Sequence, residues 1–220
     1  MKIAIVIVAD RTAAYERKAL SSCWNNLEIS EHEISILVMS EGGISQEDRV
    51  NREEWCRKFR ADFIVPSDTG VRSTLLNYAK SKSIGLCLIL TPGTYIFGPG
   101  LITRVVHFFQ RNANVGMVGF QAINGRGFSD GLSQWFGPPR LVEELNGPFA
   151  IQTETMEQLD YIDEGSWGIQ LAMLDRYSYC LPWPPIFNEI PLADHSPGVK
   201  KPEGLVFWMG KGGEERSVIL

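Results

Sequence analysis

The strongest constraint on the fold is an apolar, mostly β-branched run at the start of the chain. Residues 3–9 read IAIVIVA, and an unbroken run of this kind is typical of a strand buried on both faces of a parallel sheet. The segments EISILVMS (residues 33–40), DFIVPS, IGLCLIL and VGMVGFQAI repeat the signal. Between them, the spacing predicts helices over about residues 13–27 and 74–82, and the charged residues 46–60 predict an exposed helix or loop. This alternation predicts an α/β fold with a mostly parallel sheet flanked by helices.

Length and composition favour one domain. The chain has 220 residues, of which 44% are hydrophobic and 21% are charged, a globular balance. A net charge of −5 without a block of Lys and Arg argues against nucleic-acid binding. The first apolar run is too short to span a bilayer, so no integral membrane segment is expected. Four scattered cysteines without a CxxC pair predict reduced, mostly buried thiols and a cytoplasmic protein.

The loops after the strands carry no familiar phosphate-binding motif. The first strand leads into ADRT rather than GxGxxG, and no P-loop pattern occurs. The strand IGLCLIL leads into Thr91-Pro92-Gly93, at a position where the loops of α/β proteins usually carry chemistry. These three residues offer no charge and no strong nucleophile. Residues 124–140, NGRGFSDGLSQWFGPPR, read as a long loop.

Two longer stretches carry a more specific pattern. The first reads LILTPGTYIFGPGLITRVVHFFQRNANVGMVGFQ, and the second reads GPFAIQTETMEQLDYIDEGSWGIQLAMLDRYSYCLPWPP. In the order and spacing of their elements they resemble the GT-A glycosyltransferases, and within these the inverting glycosyltransferase family 2. The resemblance covers residues 3–185. It implies a GT-A-like nucleotide-sugar-binding domain over residues 1–185 and a C-terminal segment, residues 186–220, that folds over the site.

The sequence departs from the family pattern in two places. Thr91-Pro92-Gly93 falls where the family has Asp-x-Asp, which holds Mn²⁺ or Mg²⁺ against the diphosphate of the donor. Trp167-Gly168 falls near the family's Glu-Asp, whose Asp is the general base. Hard divalent cations need oxygen ligands, usually with a carboxylate among them. We therefore expect no bound metal and no other cofactor.

The resemblance places the nucleoside at the ends of the first two strands. The implied contacts are Ala9, Asp10, Arg11 and Glu41. A carboxylate there accepts hydrogen bonds from the base or the ribose. Asp10 suits a helix cap equally well, whereas the Gly-Gly that follows Glu41 lets a ligand approach closely.

Without a metal, the charge of the diphosphate needs cations or dipoles from the protein. Thr91, Pro92 and Gly93 are expected to lie close under the diphosphate and to supply backbone or hydroxyl hydrogen bonds. Each cationic candidate also fits a solvated surface charge. The candidates are Arg11, Arg72, Lys200 and Lys201 for charge, and His195 for a hydrogen bond to phosphate.

The general base and the acceptor contacts fall in two further segments. Asp163 and Glu164 lie in YIDEGS, which matches the family's F-D-E. Either carboxylate could take the proton of the acceptor or cap the following helix; we favour Glu164, which lies nearer the displaced motif. Trp135 and Phe136, in the long loop, could stack on a sugar or anchor the loop to the core.

The expected function is therefore transfer of a sugar from a nucleotide sugar, UDP-linked, to the hydroxyl of a glycan or another acceptor. The resemblance implies that the transfer inverts the anomeric centre, and the replacement of Asp-x-Asp predicts that it uses no metal. One alternative is a catalytically inactive relative that binds a nucleotide or a glycan. Another is a nucleotidyltransferase, whose sheet is similar but whose chemistry normally needs carboxylates that hold a metal.

Overall fold

The computed structural model describes residues 1–9, 13–27, 31–40, 44–66, 70–96, 100–124, 127–128, 139–142, 148–159 and 167–188. The strands within these ranges are β1 (Lys2–Ala9), β2 (Glu33–Ser40), β3 (Asp62–Ile64), β4 (Leu86–Leu90), β5 (Thr94–Ile96), β6 (Val115–Asn124), β7 (Gly127–Phe128), β8 (Arg140–Val142), β9 (Phe149–Gln152) and β10 (Tyr177–Asn188). The helices are α1 (Ala13–Leu27), α2 (Gln46–Lys58), α3 (Gly70–Lys82), α4 (Leu101–Arg111), α5 (Thr153–Gln158) and α6 (Trp167–Met173).

The strands form one mixed sheet in the order β3-β2-β1-β4-β9-β6-β10-β5, with β7 paired to β6 and β8 to β10. We call β3-β2-β1-β4, which are all parallel, the parallel half. The mixed half is β9-β6-β10-β5. There β9 runs antiparallel to both of its neighbours, β10 runs parallel to β6, and β5 runs antiparallel to β10. The predicted α/β fold, a mostly parallel sheet flanked by helices in one domain, is confirmed.

The apolar run at the start of the chain fills both sides of the sheet. Alternate residues of a strand point to opposite faces, and Ile5 and Val6 accordingly belong to two different core clusters. The cluster of Ile5 includes apolar residues of α1 and α4, and that of Val6 includes residues of α3 and α5. Helices therefore cover β1 on both faces, as the unbroken apolar pattern predicts.

The mixed half contains a strand that the sequence did not predict. β10 pairs with β6 up to Leu181 and again from Ile186, with a register shift between the two points. Three of the four residues between them are proline, which has no N–H for the ladder. The strand passes this break and ends at Asn188, so its last three residues belong to the predicted C-terminal segment. Residues 189–220 lie outside the described residues.

The parallel strands all end at the same edge of the sheet, which we call the carboxyl edge. Ala9 pairs with Ser40 there, and Ile7 pairs with Leu90 on the other side of β1. From β1 the chain proceeds to β2 and β3 on one side and then crosses back to β4 on the other. The point between β1 and β4 is therefore a topological switch point, where ligands of open α/β sheets usually bind.

Two further properties of the described residues bear on the predictions. None of the helices within the described ranges is long and apolar enough to cross a membrane. All four cysteines are free and buried. Burial raises the pKa of Cys23, Cys56 and Cys87 to about 12.

Candidate functional site

Thr91, Pro92 and Gly93 form a tight turn with Thr94 between β4 and β5. The Thr94 N–H donates to the Thr91 carbonyl at 3.0 Å, and Gly93 has a φ of +77°. Proline in the second position and a positive φ in the third define a type II β-turn. Proline fixes its own φ near −65° and glycine adopts a positive φ without strain, so the sequence is suited to this geometry. We call these four residues the 91–94 turn.

A small cleft lies beside this turn, and the volume in it that a water-sized sphere can occupy is about 10 Å³, which is room for about one water molecule. Its walls come from the end of β1, the start of α1 and the 91–94 turn. This is the topological switch point between β1 and β4, which we now call the switch-point cleft. The lining residues are Ile7, Val8, Tyr15, Glu16, Ala19, Thr91, Pro92, Gly93 and Thr94.

One wall of the cleft contains a buried ion pair. Glu16 is only 3% exposed, and its Oε1 lies 2.7 Å from Nη2 of Arg52 on α2. Nη1 of the same guanidinium donates to Ser40 Oγ, at the end of β2, at 2.8 Å. A buried charge is costly unless it is paired, so Arg52 accounts for the position of Glu16. This one side chain also joins α1, α2 and β2 below the carboxyl edge.

Arg72 makes contacts within the protein. It is the third residue of α3, and its Nη2 donates to the carbonyls of Met156, at 2.6 Å, and Leu159. The last carbonyls of a helix have no partner within the helix, and a cation at that end also interacts favourably with the helix dipole. Arg72 therefore caps the end of α5. Its role as a diphosphate ligand stays a prediction.

The oxygen atoms that the structure describes in the cleft do not form a donor set for Mn²⁺ or Mg²⁺. The Thr91 carbonyl already accepts hydrogen bonds from the N–H of Thr94 and from its Oγ1, the latter at 2.6 Å. Gly93 has no side chain, and the carboxylate of Glu16 is paired with Arg52. The described ranges contain no cluster of three or more His, Cys, Asp or Glu suited to a metal. The usual carboxylate-bearing donor set for these ions is thus not assembled by the described walls of this cleft.

The other predicted site residues mostly lie outside the described residues. Ala9 is described and 1% exposed, with its methyl group in the core, so a ligand could reach only its backbone. The positions that the structure does not describe stay predictions. They are Asp10, Arg11, Glu41, Trp135, Phe136, Asp163, Glu164, His195, Lys200 and Lys201.

Sequence reasoning did not single out Tyr15, Glu16, Thr94 or Arg52. Residues 46–60 were expected to form an exposed helix or loop, because charged residues dominate them. The segment forms α2, and Arg52 and Cys56 are buried on it. Their spacing of four residues puts them on one helix face. Together with the neighbouring Trp55, this spacing was the available signal for a buried face.

No protein-family model matches the sequence, and no curated protein matches it significantly. Solved structures do match. TarS 1–349 of S. aureus has a TM-score of 0.59 and 11% identity, over 86% of this chain and 60% of that chain. The mannosyltransferase PcManGT of Pyrobaculum calidifontis, in complex with GDP-Man and Mn²⁺, has a TM-score of 0.59 and 11% identity, over 86% of this chain and 57% of that chain.

A cytidylyltransferase of Leptospira borgpetersenii serovar Hardjo-bovis also matches, with a TM-score of 0.55 and 16% identity. The alignment covers 83% of this chain and 76% of that chain. The chain spans about three fifths of the length of the first two structures. At these identities the likeness shows the fold alone, which is GT-A-like and Rossmann-like.

Proposed function

We propose that the chain is a glycosyltransferase that moves a sugar from a nucleotide sugar, UDP-linked, to an acceptor hydroxyl. The observation that carries the proposal is the switch-point cleft. It opens at the carboxyl edge of a GT-A-like sheet, and its rim is the 91–94 turn. Ligands of open α/β sheets bind at this place in the topology. The turn presents backbone and a threonine hydroxyl there, with little side-chain bulk at Gly93.

The nucleoside is proposed to bind at the ends of β1 and β2, where Asp10, Arg11 and Glu41 follow Ala9 and Ser40 in the sequence. The diphosphate would then lie over the 91–94 turn. Its charge is met by Arg11 and by the C-terminal cations Lys200 and Lys201, with His195 as a hydrogen-bond donor. Arg72 contributes only through N–H groups that do not cap α5, since its Nη2 already donates to two carbonyls.

The reaction is a single displacement at the anomeric carbon. The acceptor oxygen forms a bond to this carbon from the face opposite the diphosphate, while the bond from the carbon to the diphosphate oxygen breaks. The leaving nucleoside diphosphate keeps the electron pair, and the proton of the acceptor hydroxyl passes to Glu164, or to Asp163 in its place. Attack from the opposite face inverts the anomeric centre. Trp135 and Phe136 are proposed to hold the acceptor, a glycan or another alcohol.

We propose that this transfer proceeds without a divalent cation, because the described oxygen atoms of the switch-point cleft do not form a donor set for one. Thr91 and Gly93 take the positions at which the family that this sequence resembles has its metal-binding carboxylates. The carboxylate of Glu16, which also lines the cleft, is paired with Arg52. Positive side chains replace part of the charge of a metal but not its fixed geometry, so a modest rate is expected. The four free, buried thiols are in keeping with a reaction in the cytoplasm.

The test combines ligand binding with turnover. Thermal shifts are measured with UDP-sugars, GDP-mannose and CTP, each with Mn²⁺ and with EDTA. Release of nucleoside diphosphate is then measured with candidate acceptors. The proposal expects a shift with a UDP-sugar and release that EDTA and Mn²⁺ leave unchanged. Strict dependence of release on Mn²⁺ or Mg²⁺ contradicts the metal-free mechanism. Binding without release to any acceptor favours the inactive binding module.

The role of Glu164 is tested by Glu164→Gln, with Asp163→Asn as the matched variant. The amide keeps the shape but cannot take the proton, so turnover should fall by roughly 10²–10⁴ with little change in donor affinity. Near-normal turnover in both variants removes the pair from the role of general base.

A second candidate function is nucleotidyl transfer, which the likeness to the cytidylyltransferase over 76% of that chain favours. It predicts release of pyrophosphate from CTP or UTP in the presence of a sugar substrate and Mg²⁺. The same panel separates the two functions, because the glycosyltransferase releases a nucleoside diphosphate from a nucleotide sugar and releases no pyrophosphate.

A further inference from the structure

The switch-point cleft contains a carboxylate in a place proposed for an anion. Glu16 lines the cleft together with the 91–94 turn. The diphosphate of a nucleotide sugar carries about two negative charges, and the leaving group gains another. A negative side chain beside such a group opposes binding, most strongly where water is excluded. The cleft can take a diphosphate only if the charge of Glu16 is compensated.

The guanidinium of Arg52, which does not line the cleft, supplies the positive charge that balances Glu16. Its side chain is 0% exposed and that of Glu16 is 4% exposed, so Arg52 reaches the cleft only through Glu16. The contact of 2.7 Å from Nη2 to Oε1 holds the carboxylate, and the 2.8 Å hydrogen bond from Nη1 to Ser40 Oγ holds the guanidinium. The opposite charges of Glu16 and Arg52 offset each other at this wall of the cleft.

We infer that Arg52 is a positioning residue for the diphosphate: it keeps Glu16 ion-paired, and so lets the switch-point cleft accept an anionic ligand without a metal. This inference rests on the proposed function, because it assumes that a nucleoside diphosphate binds in this cleft. It adds a residue that would not touch the ligand and that acts through Glu16.

The ion pair with Arg52 is the contact with a cation that the described residues show for Glu16. From α2, the titratable groups near the carboxylate are Arg52 and Cys56, and burial and the charge of Glu16 both raise the pKa of Cys56. On α1, the titratable group beside Glu16 is the phenol of Tyr15, which also lines the cleft. The described lining residues from β1 and the 91–94 turn are not titratable.

The first variant is Glu16→Gln, which keeps the shape and removes the negative charge. The probes are UDP and uridine, or GDP and guanosine if the ligand panel selects that base. At an effective dielectric constant of about 20, one charge about 6–10 Å from a phosphate changes affinity by roughly 10- to 100-fold. Glu16→Gln should therefore bind the nucleoside diphosphate roughly 10-fold more tightly, with the affinity for the neutral nucleoside unchanged.

The second variant is Arg52→Met, which removes the cation that pairs with Glu16. It should bind the diphosphate roughly 10- to 100-fold more weakly at pH 8 and bind the nucleoside as before. Relative to the wild type at the same pH, the loss should shrink towards pH 6, because a buried carboxylate without a cation takes up a proton more readily. Arg52→Lys keeps the charge and should retain most of the affinity. The double variant Arg52→Met with Glu16→Gln should return towards the wild type.

Two controls separate charge from packing. Ser40→Ala removes the hydrogen bond that holds the guanidinium but no charge, so it should change the ratio of diphosphate to nucleoside affinity by much less than Arg52→Met does. Arg176→Met removes a partly buried arginine that bonds to Gln152 and Thr155, beside the start of β10 and far from the carboxyl edge. It should lower stability without altering either affinity.

The outcomes distinguish this inference from the proposed function. If the wild type binds no nucleoside diphosphate or nucleotide sugar, the proposed function fails and the inference fails with it. If the wild type binds but Glu16→Gln leaves the diphosphate affinity unchanged or weakens it, the inference alone is overturned. Equal losses for diphosphate and nucleoside in Arg52→Met, without recovery at pH 6, also overturn it. Should Arg52→Met not fold, Glu16→Gln and Arg52→Lys still decide.

Discussion

The parallel half and the mixed half of the sheet are held together in different ways. In the parallel half, β1 pairs with β2 residue for residue over its whole length and with β4 without a shift. In the mixed half, β10 changes register against β6 twice. A strand with a regular ladder and two buried faces gains its stability from apolar burial. A strand with breaks depends on how well particular side chains fit around them.

This difference predicts what each half tolerates. The parallel half should lose stability when a charge is placed in its core. Cys23, Cys56 and Cys87 are buried on its strands and covering helices, and each becomes charged when it loses its proton. The mixed half should lose stability when a side chain is enlarged, because Gly116 of β6 lies directly against Leu171 of α6. The four predictions below test this contrast, and the third concerns the link between the halves.

The largest effect is expected at alkaline pH, in the parallel half. Burial raises the pKa of Cys23, Cys56 and Cys87 from 9.0 to about 12. A raised pKa in the folded state means that the stabilisation is complete below pH 9 and is lost as the pH rises towards 12. By pH 10 the loss is on the order of 1 kcal/mol for each thiol and a few kcal/mol for all three together.

Urea unfolding between pH 7.5 and pH 10 measures this loss. The variant Cys87→Ala should reduce the pH-dependent part of the loss by about a third, whatever it does to stability at pH 7.5. A free energy of unfolding that stays level from pH 8 to pH 10 would show that these thiols do not resist ionisation in the folded protein.

The second effect is steric and lies in the mixed half. A methyl group at position 116 would lie 2.4 Å from Cδ2 of Leu171 and 3.1 Å from Cβ of Arg176, and Leu171 is fully buried. Gly116→Ala should therefore lower the free energy of unfolding by about 1–3 kcal/mol.

Gly85→Ala is the matched control for this substitution. Its methyl group would lie 3.2 Å from Cγ of Met1. Met1 is 52% exposed, so its side chain can move aside. Urea unfolding of both variants at pH 7.5 makes the comparison. Equal losses at positions 85 and 116 would mean that the two halves do not differ in their tolerance of volume.

The third effect concerns the link between the halves. Arg72 on α3 belongs to the parallel half, and the carbonyls of Met156 and Leu159 follow β9 of the mixed half. Arg72→Met should lower the free energy of unfolding by about 1.5 kcal/mol, because two hydrogen bonds from a charged donor are lost. Lys80→Met removes an exposed ion pair with Glu157 between the same two helices and should cost well under about 1 kcal/mol.

Ligand titration of the same variant tests the diphosphate role of this residue. If Arg72 also meets the diphosphate, Arg72→Met weakens UDP binding more than uridine binding. If both affinities change equally, Arg72 serves the protein alone, as a cap for α5.

The smallest effect is expected at the 91–94 turn. Gly93→Ala places a methyl group on a residue with a φ of +77° and should cost about 1 kcal/mol in urea unfolding. Gly93→Asn should recover part of this loss, because asparagine tolerates positive φ better than alanine does. An alanine variant as stable as the wild type, with unchanged UDP affinity, would show that neither the turn nor the cleft depends on this geometry.

The contrast between the halves also governs how much of the fold could be predicted. The helix expected over residues 13–27 and the strand over residues 33–40 have the observed bounds, α1 and β2. Both depend on local patterns, apolar spacing for the helix and a continuous apolar run for the strand. α3 begins at Gly70, which has a φ of +87°, four residues before the expected start at residue 74.

The mixed half was predicted less completely, because its pairing is long-range. β5 has only three residues and gains its strand character from β10, far along the chain. β10 contains prolines, which argue against a strand when the sequence is considered alone. In the structure, the register shift accommodates them. No local pattern contains this information.

The site divides in the same manner. The position of Thr91, Pro92 and Gly93 at the end of a buried strand, and their shaping by proline and glycine, followed from the sequence. The ion pair of Glu16 and Arg52 could not be predicted from the sequence. Glu16 is buried by α2, which carries Arg52, and Arg52 is buried by α1, which carries Glu16. Arg52 lies among the charged residues of α2, and only the packing of α2 against α1 distinguishes it from them.

The place of β9 has a consequence for the order in which the protein is made. This short strand pairs with β4 on one side and with β6 on the other, so it joins the two halves although it lies late in the chain. As the ribosome extends the polypeptide, β4 is complete long before residues 149–152 appear. Until then, the edge of β4 that faces away from β1 has no neighbouring strand. An apolar strand with an open edge is a site of aggregation. A nascent chain that stalls before β9 should therefore depend on chaperones, whereas one that has passed it can close the sheet.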